Sequence, residues 1–238
     1  MQVRVLLLCV LVACTAGDGD ETLHDEPADF EVDPDDGKGD GVPASFHAND
    51  VVGDDIFVGG EAMDVAEVQK FFEESPYRNR SWLADYTADG VTAAEAVVRA
   101  ARAENVHPLM LLSRMQVEAS LVSKTVRPTQ YRIDRALGCG CPDGGGCSAS
   151  YRGFEAQLTC GARILRKWYD ASVDGTGPWR KGKAKRTLDP RTVTPVNHAA
   201  ASLYAYTPWV LVGSGGNWLV WNVTRKYVRH AESSGLLQ

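Results

Sequence analysis

The sequence has no apolar run long enough to cross a bilayer. Its one sustained apolar stretch, Val5 to Ala13, is about half the roughly 20 residues that a membrane helix needs, which excludes a multi-span membrane protein. It also lacks H-E-x-x-H or any other clustering of its five His residues, an absence that argues against a zinc amidase or endopeptidase. Among its six Cys there is no C-x2-C pair, which argues against a zinc ribbon or finger. Internal repeats are absent, and strand signals are short and weak. Base is nearly missing from residues 15–50, which hold twelve Asp/Glu against Lys38 alone, a net charge of −11. Residues 51–238 hold 19 acids against 23 Lys/Arg, a net charge of +4. An acidic segment therefore precedes a moderately basic domain, and the overall charge of −6 describes neither part.

What is present begins with Arg4 and the apolar run behind it. A positive start, a short apolar stretch and a small residue before the cut read as a secretory signal over residues 1–13. Leu11-Val12-Ala13-Cys14 resembles a bacterial lipobox, and the resemblance implies cleavage before Cys14, acylation of its thiol, and a membrane partner reached through that lipid. Residues 14–50, with Pro27, Pro34, Pro43 and dense like charge, bury too little apolar surface to offset the entropy of ordering. They read as a disordered acidic tether, and residues 51–238 as the folded domain.

Local signals place helices in that domain. Asp64 with Glu67, and Thr92 with Glu95, are capping-box spacings, each followed by an apolar stripe: Val65, Val68, Phe71 and Phe72 in the first, Ala93, Ala96, Val97, Ala100 and Ala101 in the second. The second helix should fray at Asn105. Pro108 suits the first turn of a third helix running to about Ser123. A fourth is expected from about Tyr151 or Phe154 to Tyr169, and a fifth from His198 to Tyr206. Trp218 to Val228 fits helix or strand. The fold class is mostly α.

On a wheel centred on Glu118, Leu111, Val122 and Met115 lie at about 20°, 40° and 60°, and Leu121 at about −60°. Glu118 is thus expected inside the apolar arc, where desolvation favours a carboxyl that keeps its proton and can serve as a general acid. The competing expectation is an ion pair with Arg114, one turn earlier.

Beyond Glu118 come Ala136-Leu137-Gly138, a Gly/Cys loop, Tyr151 to Gln157, and Ala199 to Trp209 with its Leu-Tyr-x-Tyr-Thr-Pro stretch. In this order the segments resemble the lysozyme-like superfamily of lytic transglycosylases and goose-type lysozymes. A closer likeness, over roughly residues 55–230, is to secreted bacterial lysozyme-like proteins that carry a Cys-Pro-Asp loop. The resemblance implies a lysozyme-like helical domain in the bacterial envelope, with peptidoglycan glycan strands as its partner and no cofactor. It places Glu118 on the catalytic acid, Gln157 on a residue lining the glycan cleft, and Tyr204 on the tyrosine of the third motif. Many lytic transglycosylases have Ser directly after the Glu, where this chain has Ala119. Tyr151, Tyr204, Tyr206 and Trp209 are candidates to stack on sugar faces. Glycoside hydrolysis ordinarily uses two carboxylates. Here Asp134, Asp143, Glu155, Asp170, Asp174 and Asp189 are available, but none sits in a recognisable motif. A single acid/base at Glu118 is therefore preferred, with a water-using muramidase or glucosaminidase, or a non-catalytic wall-binding module, as alternatives.

With the signal removed and Cys14 acylated, Cys139, Cys141, Cys147 and Cys160 form an even set, which in an exported domain argues for two disulfides and no metal. A Cys139–Cys141 bridge is strained by its short loop. That leaves Cys141–Cys147 with Cys139–Cys160, or Cys139–Cys147 with Cys141–Cys160; the resemblance implies the first pairing. Arg180 to Arg186 is a basic loop. Nucleic acid is not expected as its partner in an exported protein; an anionic polymer, lipid head groups or plain solvent fit better.

Overall fold

In the computed structural model, residues 41–142 and 146–237 are described. The signal segment, Cys14 and the acidic stretch as far as Asp40 lie outside the described residues, as does Asp143. The described residues contain eight helices: α1 (Asp54–Phe57), α2 (Val65–Glu73), α3 (Ala93–Glu104), α4 (Pro108–Ala119), α5 (Gln130–Ile133), α6 (Phe154–Val173), α7 (His198–Tyr206) and α8 (Gly216–Ser233). Two small antiparallel hairpins accompany them, β1 (Thr87–Ala88) with β2 (Val91–Thr92), and β3 (Lys185–Arg186) with β4 (Thr192–Val193). None of these helices is long and apolar enough to cross a membrane.

Both capping boxes form. Asp64 and Thr92 accept from the amides of Glu67 and Glu95, and those glutamates return the bond to the cap amides. Asn105 closes α3 in the left-handed conformation, with φ 48°. The ambiguous Trp218–Val228 stretch is helical. Its buried residues Trp218, Trp221, Thr224, Val228 and Ala231 recur at three and four residues, the spacing of one helix face. That face packs against α4, whose Leu109 to Leu112 and Met115 are fully buried at the centre of the core. On the other side α6 packs against α7 and α3. The Leu137 segment lies close on α6 because Gly161 has no side chain there; a Cβ would overlap Leu137.

Two expectations are corrected. The tether does not extend to residue 50, because residues 41–50 are part of the folded domain. Val42 is buried, the Pro43 carbonyl accepts from Trp221 Nε1 at 2.6 Å, and Phe46 packs on the Trp221 ring. Charge density dominates the composition of residues 15–50 as a block, but its last ten residues carry enough apolar surface to dock. The third predicted helix also stops early. Ser120 turns left-handed at φ 52°, and the Gln116 side chain caps the turn by bonding Ser123 N at 3.1 Å and Ser123 Oγ at 3.0 Å.

Candidate functional site

The early stop of α4 determines how Glu118 is placed. With no further helical turn above it, Glu118 is not enclosed by the apolar arc, and its side chain keeps 25% of its surface exposed. Leu121 and Val122 are still fully buried, but beyond the turn and off the wheel that placed them beside Glu118. Among the described residues Arg114 is the charged side chain that is wholly buried. The expected burial of Glu118 is thus corrected: of the pair, the cation lies inside and the carboxylate at the opening.

Arg114 Nη2 donates to Glu118 Oε1 and, at 3.0 Å, to Thr207 Oγ1 just past the end of α7. Its guanidinium carbon sits 4.4 Å from the centre of the Tyr206 ring. Arg114 Nε and Nη1 are buried without hydrogen-bond partners, so the Tyr206 face and the Glu118 charge supply their electrostatic compensation. The Tyr206 hydroxyl donates to the Leu137 carbonyl at 2.6 Å. Burial first, and the Glu118 charge second, push that hydroxyl well above the ordinary tyrosine range, so it stays a neutral donor. On the other side of the carboxylate stands Gly138, with φ 68°; a Cβ there would come within 3.2 Å of Glu118 Oε2. The two oxygens are therefore distinguished, Oε1 toward Arg114 and Oε2 toward Gly138.

Gln157 secures the segment that carries Gly138. Its Oε1 accepts from Leu137 N at 3.1 Å and Cys139 N at 3.0 Å, while Nε2 donates to Cys139 O at 2.7 Å and Tyr151 O at 2.6 Å. Those four bonds use the full capacity of an amide, and the residue is completely buried. It is a positioning residue and not a sugar ligand, which corrects the expected cleft role. The disulfides Cys139–Cys160 and Cys141–Cys147 tie the same loop to α6 and close it on itself. Structural disulfides of this kind belong to an oxidising compartment.

The other expected sugar contacts separate. Tyr204 is fully buried, stacks on Trp179 at 5.0 Å and donates to Ala48 O at 2.8 Å, so it is a core residue and not a cleft residue. Tyr206, two positions on, is the tyrosine that reaches the Glu118 carboxylate's surroundings. Trp209 is partly buried in the turn after α7, with its indole N–H enclosed. Tyr151 is 38% exposed and lines a cleft of about 760 Å³. Tyr86, Arg127, Arg152, Phe154 and Arg163 share that cleft, and Glu118 is not among its lining residues. Gln157 links the two places, since it holds the Leu137–Cys139 segment beside Glu118 and the carbonyl of Tyr151 at once.

No family model, curated protein or solved structure matches this chain.

Four of the six carboxylates available as a second acid or base have partners elsewhere. Glu155 bonds Arg99 at 2.6 Å, and Asp170 bonds Arg166 at 2.6 Å. Burial would raise the Asp189 carboxyl, but bonds from the Leu211 and Val210 amides and the Thr187 hydroxyl outweigh it and hold the group below the usual range. Asp134 accepts from Gln130 at 2.9 Å. Among the described residues no group of three or more His, Cys, Asp or Glu side chains is placed to hold a metal. The sequence reading missed Thr207 and the cleft residues Tyr86, Arg127 and Arg163. Thr207 lay inside the quoted Tyr-Thr-Pro stretch, whereas the cleft residues come from three unrelated stretches with no common motif.

Proposed function

We propose that this chain cuts the glycan strands of peptidoglycan as a lysozyme-like lytic transglycosylase, acting on the bond between N-acetylmuramic acid and N-acetylglucosamine. One observation carries the reading. The stretches around Glu118, Gly138, Gln157 and Tyr206, separate in the chain, converge on a single accessible carboxylate at the end of a helix. In the proposed step Glu118 gives a proton to the glycosidic oxygen. The muramyl 6-hydroxyl attacks the anomeric carbon and returns its proton to Glu118. The products are a 1,6-anhydro end and a free 4-hydroxyl, with no water consumed. Gly138 keeps room beside Oε2 for that exchange, while Arg114 and Tyr206 fix the carboxylate from the opposite side. The single acid/base is supported by the ion pairs and amide bonds that occupy Glu155, Asp170 and Asp189. Export and lipid anchoring through Cys14 complete the proposal.

The buried guanidinium on the same carboxylate favours a second reading, a non-catalytic wall-binding module in which Glu118 is chiefly the counter-ion of Arg114. Mass spectrometry of muropeptides released from sacculi decides between them. Anhydro ends support the transglycosylase and reducing ends a water-using hydrolase. No turnover with sacculus binding intact supports the module. A positioned acid is worth about 10²–10⁴-fold in rate, so Glu118→Gln should lose at least that much activity when assayed below its melting temperature.

A further inference from the structure

We infer that the hairpin spanning residues 179–196 is a docking surface for an anionic lipid bilayer. This stretch carries six cations (Arg180, Lys181, Lys183, Lys185, Arg186 and Arg191) and one acid, Asp189. All six are exposed, and Arg180, Lys181, Lys183, Lys185 and Arg186 form no ion pair recorded among the described residues; Arg191 alone reaches Asp189, at 3.8 Å.

The platform beneath them is fixed. Gly182 N donates to Pro195 O at 2.7 Å, Lys181 N to Ser172 Oγ at 3.2 Å, and Thr194 N to Asn49 Oδ1 at 2.8 Å. The backbone that carries these six like charges, close in sequence, is therefore pinned by its amides, and an anionic partner would relieve their repulsion.

Apolar side chains separate a bilayer from an anionic polymer. Leu188, on the same hairpin, is 44% exposed, and Val212, on the loop after α7, is 47% exposed. The two loops are joined, because Leu188 N donates to Pro208 O at 2.9 Å and Asp189 accepts from the Val210 and Leu211 amides at 3.0 and 2.9 Å. Cations for phosphate head groups beside aliphatic side chains for the acyl boundary match a bilayer surface. A nucleic acid or polyphosphate would use the charges and leave Leu188 and Val212 idle.

The test uses the full chain carrying Cys14→Ser, so that an acyl chain cannot contribute, in co-sedimentation with large vesicles. Phosphatidylcholine vesicles with about 30% phosphatidylglycerol should bind it, pure phosphatidylcholine should not, and high salt should release it. Replacing Lys181 and Lys183 together by Ala should weaken binding about 30-fold, from about tenfold per 1.4 kcal/mol and about 1 kcal/mol per basic residue. Leu188→Asn should also weaken it, at unchanged charge and unchanged circular dichroism. The proposal fails if neither vesicle binds, if both bind equally, or if Leu188→Asn binds like the parent. It fails equally if polyphosphate binds the chain more tightly than the anionic vesicles do.

Discussion

The same side chain, arginine, does opposite work in two parts of this molecule. Midway along α4, Arg114 is fully buried and bound to one carboxylate, one hydroxyl and one aromatic face. On the β3–β4 hairpin, Arg186 stands in solvent with five further exposed cations close in sequence, of which Arg180 and Lys185 bond only backbone carbonyls, those of Gly175 and Pro178. What separates the two is the dielectric around the charge. A buried guanidinium must be compensated within the protein, so its neighbours are committed to it; a solvated one is compensated by water and counter-ions, and remains available to a partner. Charge content alone describes the two regions equally well and distinguishes nothing.

The sharpest way to break this contrast is to remove the buried cation. Breaking a buried ion pair costs about 3–5 kcal/mol when a charge is left uncompensated. Arg114→Met leaves Glu118, which still reaches solvent, so the lower end, about 3 kcal/mol, is expected. Glu118→Gln strands the guanidinium inside and should cost at least as much. At roughly 2–4 °C per kcal/mol for a domain of this size, either change should lower the melting temperature by about 6–12 °C. The desolvated carboxyl expected from the sequence would have given Glu118→Gln a nearly unchanged melting temperature. A thermal scan of the two variants therefore tests whether the pair is structural in the way its burial implies.

How far the site could be read in advance follows from which interactions are local. The starts of α2 and α3 were legible because a capping box is a four-residue contact. The end of α4 was not, because Gln116 closes it through Ser123, outside the helix, and that misplacement buried Glu118 in the expectation where the structure leaves it at an opening. Tyr204 and Tyr206 lie two residues apart on α7, about 200° around the helix. Helical spacing says that one faces away from the other; the packing of α7 on α6 decides which of them meets α4. Gln157 was identifiable as a residue of interest, yet its four bonds reach back to residues 137, 139 and 151, a loop fold that no periodicity reports. The cysteine count predicted two bridges without choosing between two pairings.

The other end of α4 extends the comparison to pH. His107 is the N-cap of that helix: its Nδ1 accepts from Leu109 N at 3.1 Å, which requires a neutral ring. Burial lowers its pKa to about 4, against a smaller opposing effect of Asp55. A histidine depressed in the fold takes up its proton more readily when unfolded. Its stabilising contribution is therefore complete above the unfolded value near 6.5 and is lost as pH falls from there toward about 4. The full loss is on the order of 3 kcal/mol. Urea melts across that range should show the decline, and His107→Asn, which retains a capping side chain, should flatten it.

Gly138→Ala probes the carboxylate from its other side. The left-handed φ of 68° costs an alanine about 1 kcal/mol or slightly more, and its methyl would press on Glu118 Oε2. Under the proposed mechanism the variant should lose wall-cleaving activity out of proportion to that modest destabilisation. If Glu118 serves only as counter-ion to Arg114, sacculus binding should survive the change.

The smallest stability effect belongs to the hairpin. Lys183→Ala removes an exposed charge with no recorded partner, so chemical denaturation should move by less than about 0.5 kcal/mol in either direction. A near-zero value there, beside a loss of several kcal/mol at Arg114, would establish the difference between committed and available charge within one chain. A gain in stability would be more informative still. It would mean that the cations repel one another appreciably across their fixed backbone, and the gain should shrink as added salt screens them. A clear loss of stability at Lys183 would instead place that side chain in an intramolecular contact, and the hairpin would then belong with Arg114, committed inward.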